Sequence, residues 1–88
     1  NDFDFSEAHL NMLGYQLMAR NRVDDAYEIF KLNLTVFPNS GNVYDSFGEI
    51  LLVKGDTAQA IANYKKSLEH DPTNNNAVEV LKRIDVFK

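Results

Sequence analysis

Few side chains in this sequence could move a proton, attack a carbonyl or hold a metal: His9, His70, the adjacent carboxylates Asp24-Asp25, the paired ammonium groups of Lys65-Lys66, and scattered serines. Each reads better as helix electrostatics than as chemistry. His70 falls near the end of a predicted helix, where a cation meets the negative pole of the macrodipole, and Lys65-Lys66 lie toward the same end. His9 falls in the first turn of another helix, where positive charge is disfavoured, so it reads as a neutral surface or interface residue. Asp24 and Asp25 open a helix, and neighbours on a helix point about 100° apart, too far to converge on one proton or ion. The acceptor pattern Asn33-Leu34-Thr35 falls inside a predicted helix and carries little weight for glycosylation.

The spacings that define known chemistries are missing as well. The chain holds no G-x-S-x-G elbow, P-loop, dinucleotide-binding glycine fingerprint or H-E-x-x-H pair. Without cysteine there is no thiol nucleophile, disulfide or zinc knuckle. The expectation is a non-enzyme with no catalytic residue, no metal and no cofactor.

What positions these residues is a self-match at an offset of 34: Gly14, Leu17, Ala26, Lys31, Leu34 and Pro38 recur as Gly48, Leu51, Ala60, Lys65, Leu68 and Pro72. Helix signals fall in the same register. Ser6 precedes an apolar-periodic run containing Leu10, Met12, Leu13, Leu17 and Met18, which predicts a helix over 7–20 capped by Ser6 and packed along that stripe. Asn21-Arg22 makes a turn. A second helix over 23–36 buries Ala26, Ile29, Phe30 and Leu34 and stops before Pro38. Ser40 caps a third over 41–54, with Gly55 just beyond it in a left-handed position, and Asp56 caps a fourth over 57–70. A fifth carries Val78, Leu81, Ile84 and Phe87 at spacings of three, with Lys82 in the place of the repeat glycine and Asp85 in the place of a large apolar residue. That departure marks a capping element. Gly14 and Gly48 are expected to let paired helices approach, with Ala26 and Ala60 as the small residues opposite. Phe30, Tyr64, Tyr44 and Phe47 are expected to fill the gaps between repeats.

The run Leu10-x2-Leu13-Gly14-x2-Leu17, Ala26-x3-Phe30, Pro38 and its echo Tyr44-x2-Phe47-Gly48-x2-Leu51, Ala60-x3-Tyr64, Pro72 resembles the tetratricopeptide repeat. The resemblance implies an all-α fold: two helix–turn–helix repeats and a C-terminal capping helix, a right-handed α-solenoid fragment. It divides the chain into an extension (1–6), repeat 1 (7–40), repeat 2 (41–74) and the cap (75–88). It also implies a concave, partner-binding face made of Asn11, Tyr15 and Met18, then Asn42, Asp45, Glu49 and Leu52, then Glu79 and Arg83. Members of the family that clamp carboxylate tails use Lys and Arg where this chain has Asn11, Ser46, Asn76 and Val80. An acidic chaperone tail is therefore a poor partner, and the acids on the face favour a basic or amide-rich segment.

The segments Phe30-Lys31-Leu32-Asn33, Phe37-Pro38-Asn39-Ser40, Asn42 to Glu49 and Tyr64 to Leu68 look like the tetratricopeptide tail of some bacterial serine hydrolases, α/β-hydrolase-type esterases and β-lactamase-related proteins among them. Asn33, Tyr44, Asp45 and Ser46 carry that likeness beyond generic repeat packing. It implies a bacterial protein, cytoplasmic or periplasmic, whose catalysis belongs to a preceding domain. The repeats would then dock that domain or a second copy, with Phe3 and Phe5 as an association surface. A chain beginning at Asn1 reads as cut from a longer polypeptide. The alternative is a free-standing adaptor that takes an extended peptide in its groove.

Composition sets outer limits. At 88 residues there is room for one small core. Thirteen acids against nine bases give a net charge of −4 without clustered cations, which argues against nucleic acid. The sequence has no apolar run of the length needed for membrane insertion.

Overall fold

The computed structural model describes residues 6–85. They form five helices: α1 (Glu7–Ala19), α2 (Val23–Val36), α3 (Gly41–Val53), α4 (Thr57–His70) and α5 (Asn75–Asp85). The described residues contain no strand. The expected first and third helices each end one residue early, because Arg20 and Lys54 serve as C-caps. Expectations about Phe3, Phe5 and Phe87 lie outside the described residues.

The helix starts follow side-chain chemistry. Ser6, Ser40 and Asp56 accept from the backbone N–H three residues on, in His9, Val43 and Gln59. Asn74 does the same for Ala77, a cap for α5 that the sequence reading missed. Arg22, before α2, has no side-chain cap bond. The turns are equally regular. Asn21 (φ 62°) and Gly55 (φ 86°) occupy the left-handed region at equivalent repeat positions. After them the Arg22 and Asp56 N–H groups reach back to the Leu17 and Leu51 carbonyls, each at 2.9 Å. This is the Schellman arrangement, which satisfies carbonyls left over at a helix end.

Packing of successive helices from α1 to α4 is antiparallel, as the contacts between their ends require. Asn33 near the end of α2 donates to the carbonyl of Glu7 at the start of α1, 3.0 Å away. Lys54 after α3 meets Asp24 at the start of α2, at 2.7 Å. Ser67 late in α4 donates to the carbonyl of Gly41 at the start of α3, at 2.6 Å. Asn33 and Ser67 are equivalent repeat positions, and both are fully buried, at 1% and 0% exposure. Each hairpin is thus tied at its open end, opposite the turn, by a hydrogen bond from a buried side chain. The ties differ in one respect: Ser67 Oγ also accepts from Asn74, whereas Asn33 Oδ1 is buried without a partner among the described residues.

The core runs through Ala26, Phe30, Phe47, Ile50, Leu51, Ala60, Tyr64 and Ala77. Here the structure corrects the expected packing at the glycines. A Cβ on Gly14 would meet the Phe30 ring at 2.5 Å, and one on Gly48 would meet the Tyr64 ring at 2.8 Å. What the glycines admit is an aromatic ring of the same repeat, not Ala26 or Ala60. Only part of the aromatic set bridges repeats: Tyr27 packs on Phe47, with centroids 5.4 Å apart, while Tyr44 stacks on His70 of its own repeat. Met12 was expected in the packed stripe of α1 but is 50% exposed. Its equivalent, Ser46, is buried because α3 has α1 beside it, and α1 has no such neighbour among the described residues.

Candidate functional site

Equivalent helices lie side by side, and their contacts repeat the sequence offset. Glu7 faces Asn42, Asn11 faces Ser46 and Tyr15 faces Glu49, at separations of 35, 35 and 34 residues. Parallel stacking of α1 on α3 brings Asn11 to Ser46 and Tyr15 to Glu49; along the sequence, Tyr15, Glu49 and Arg83 share one repeat position and Asn11, Asp45 and Glu79 another.

Most of these side chains are engaged with one another. The Tyr15 hydroxyl donates to Glu49 Oε1 at 2.9 Å and lies 3.3 Å from Ser46 Oγ. Ser46 donates in turn to Asn11 Oδ1. Burial pushes the Tyr15 phenol up to about 12, and the neighbouring carboxylates of Glu49 and Asp45 push in the same direction. Its ring also meets Phe30 edge-on at 5.1 Å, so Tyr15 belongs partly to the core. Met18 and Leu52 pack half-buried against that core. Asn42 is exposed and donates to Glu7 Oε2 at 3.3 Å.

Asp45 has the most consequential surroundings. It is buried, at 9% exposure, and accepts from Asn74 Nδ2 at 2.7 Å and from Asn76 Nδ2 at 3.0 Å. The amide-rich segment this carboxylate recognises is the chain's own, and the bonds dock α5 onto α3. The polar residues beyond the repeat pattern are all accounted for in this way. Asn33 ties α2 to Glu7, Tyr44 donates to the Pro38 carbonyl at 2.7 Å, Asp45 holds the asparagines, and Ser46 bonds Asn11.

Beside the Asp45 clasp lies an open pocket of about 430 Å³ lined by Glu49, Leu52, Tyr64, Asn76, Val80, Arg83 and Ile84. It brings together Glu49, Leu52 and Arg83 from the expected face; Asn11, Tyr15, Met18, Asn42, Asp45 and Glu79 do not line it. The sequence reading missed Tyr64 and Ile84 as face residues; Val80 and Asn76 entered it only as places where a carboxylate clamp would need a cation. Tyr64 is 1% exposed, yet its hydroxyl makes no hydrogen bond among the described residues. Burial raises its pKa, and the charges of Asp45 and Glu49 add to the shift. Neither Glu49 nor Arg83 has an ion-pair partner among the described residues.

The described residues include no group of three His, Cys, Asp or Glu side chains placed to hold a metal, and no helix long and apolar enough to cross a membrane. His9 is exposed, and the exposed ring of His70 lies parallel to Tyr44 at 5.2 Å. What the face offers is hydrogen-bond donors and acceptors beside aliphatic walls. Compared with known families and curated proteins, the chain matches no family model and no curated protein.

Proposed function

We propose that this chain is a non-catalytic protein–protein interaction module, built from two tetratricopeptide repeats and a capping helix wound as a right-handed solenoid fragment. In this reading the face formed by α1, α3 and α5 receives an extended peptide. The observation that carries it is the pocket beside Glu49. It lies on the aligned face, its walls set Leu52, Val80 and Ile84 beside the polar groups of Glu49, Asn76 and Arg83, and its volume falls within the range of sites that bind ligands.

The test is selection from a random dodecapeptide phage library on the immobilised protein. Enriched peptides should bind wild type at micromolar concentration, lose at least tenfold on Leu52→Glu, and be indifferent to Lys65→Glu on the exposed side of α4. Failure to enrich any peptide, or equal binding to the Leu52→Glu protein with its helical spectrum intact, would sink the reading.

A second reading is favoured by the surface of the first repeat. Met12, Leu32 and Val36 are 50%, 45% and 52% exposed, whereas their second-repeat equivalents are Ser46, Lys66 and His70. An apolar first-repeat surface suits a tail that docks on the catalytic domain of a bacterial serine hydrolase, or on a second copy. The intact mass of the native gene product decides this. A value several tens of kilodaltons above the 10.0 kDa of this chain supports the appended tail, and a value near 10.0 kDa removes it.

A further inference from the structure

We infer that the pocket between α3, α4 and α5 is a clamp for a backbone amide flanked by an aliphatic side chain; the inference rests on the interaction-module reading and names what the module grips. The argument begins with the Tyr64 hydroxyl. Its ring is wedged under Gly48, which fixes where the hydroxyl sits, and that hydroxyl makes no hydrogen bond among the described residues. A donor held at a fixed place on a pocket wall selects a ligand that brings an acceptor to it. Burial keeps this phenol protonated, which makes it a donor.

Two further groups fix the polarity of the ligand. Arg83 supplies only donors, and Glu49 supplies an acceptor, since Oε1 takes the Tyr15 hydroxyl and Oε2 has no partner among the described residues. They occupy the same repeat position on neighbouring helices and line one pocket, yet form no ion pair. A carboxylate ligand would satisfy Arg83 and Tyr64 but be repelled by Glu49 and Asp45. An ammonium would satisfy Glu49 but leave Arg83 and Tyr64 unmet. A neutral amide satisfies both sides, its C=O toward Tyr64 and Arg83 and its N–H toward Glu49. Leu52, Val80 and Ile84 then receive the neighbouring aliphatic side chain. The same face already holds amides with a carboxylate, in the Asp45 bonds to Asn74 and Asn76.

The experiment titrates four probes into the isotopically labelled full chain and follows backbone amide chemical shifts. The probes are N-acetyl-leucyl-leucine N-methylamide, its analogue with the central N–H replaced by an ester oxygen, the free acid N-acetyl-leucyl-leucine, and the free amine leucyl-leucine N-methylamide. The capped dipeptide should saturate shifts at Glu49, Tyr64, Val80 and Arg83. The ester should bind about five- to tenfold more weakly, the loss expected for one hydrogen bond. Tyr64→Phe should weaken the capped dipeptide about fivefold while leaving the rest of the spectrum in place. The clamp is refuted by any of four results: tighter binding of the free acid, tighter binding of the free amine, equal binding of ester and amide, or no saturable shift. If selected dodecapeptides bind the face but leave these four residues unshifted, the module reading stands and the clamp alone falls.

Discussion

Replacing the two repeat glycines by alanine probes the packing that the 34-residue offset encodes, and the structure predicts unequal outcomes. A Cβ on Gly14 falls 2.5, 2.7 and 2.8 Å from three atoms of the Phe30 ring, whereas on Gly48 the nearest Tyr64 atoms are at 2.8, 3.0 and 3.1 Å. Carbon atoms pack at about 3.5–4.0 Å, so the Phe30 ring must retreat by roughly an ångström. It is fully buried and met edge-on by Tyr15, which leaves little room to move. Overpacking of this kind costs about 1–3 kcal/mol, while relieving a mid-helix glycine returns about 1 kcal/mol. The net expectation is a loss of about 1–2 kcal/mol for Gly14→Ala and of roughly zero to 1 kcal/mol for Gly48→Ala. Urea unfolding followed by ellipticity at 222 nm measures both. Adding Phe30→Leu to Gly14→Ala should show favourable coupling above about 0.5 kcal/mol, because the shorter side chain vacates the space the new methyl needs. A Gly14→Ala protein as stable as wild type, or a larger loss at Gly48 than at Gly14, would refute the reasoning.

Two other perturbations follow from single positions. Arg22 begins α2 with φ −96° and ψ 67°, close to the −91° and 75° of Asp56, which does cap its helix, so Arg22→Asn should supply the missing cap. The expected gain is about 0.5–1 kcal/mol, reduced by a few tenths for the lost exposed bridge to Asp25, and a lowered melting temperature would count against it. Tyr15 binds its proton more tightly in the folded chain than in the unfolded one, with its pKa raised from 10.0 to about 12 chiefly by burial. Its stabilising contribution is therefore complete below pH 10 and lost as pH rises through about 12. Urea midpoints should fall over that window in wild type and fall less in Tyr15→Phe; identical slopes would rule the contribution out.

Reading the sequence located the helices and the caps at Ser6, Ser40 and Asp56 because those are local problems, though it missed Asn74. Ser6, Ser40 and Asp56 act within three residues of themselves, and the left-handed site at Gly55 needs only the absence of a Cβ. The 34-residue offset likewise anticipated the stacking register, since equal spacing along similar hairpins brings Tyr15 to Glu49 and Asn11 to Ser46. Tertiary structure decided what each repeated position touches. Gly14 faces Phe30 and not Ala26, and Met12 lies exposed where its equivalent Ser46 is buried, because a helix at the end of an array lacks the neighbour its counterpart has. Asp45 read as a free carboxylate on a binding face. Only the placement of α5 shows it holding Asn74 and Asn76, contacts 29 and 31 residues away in sequence. Tyr64 is the same case: its spacing marks it as core, and its place on a pocket wall becomes visible only when three helices are packed around it. Hydrogen bonding within a turn is written in neighbouring residues, but the satisfaction of a buried group depends on everything folded against it.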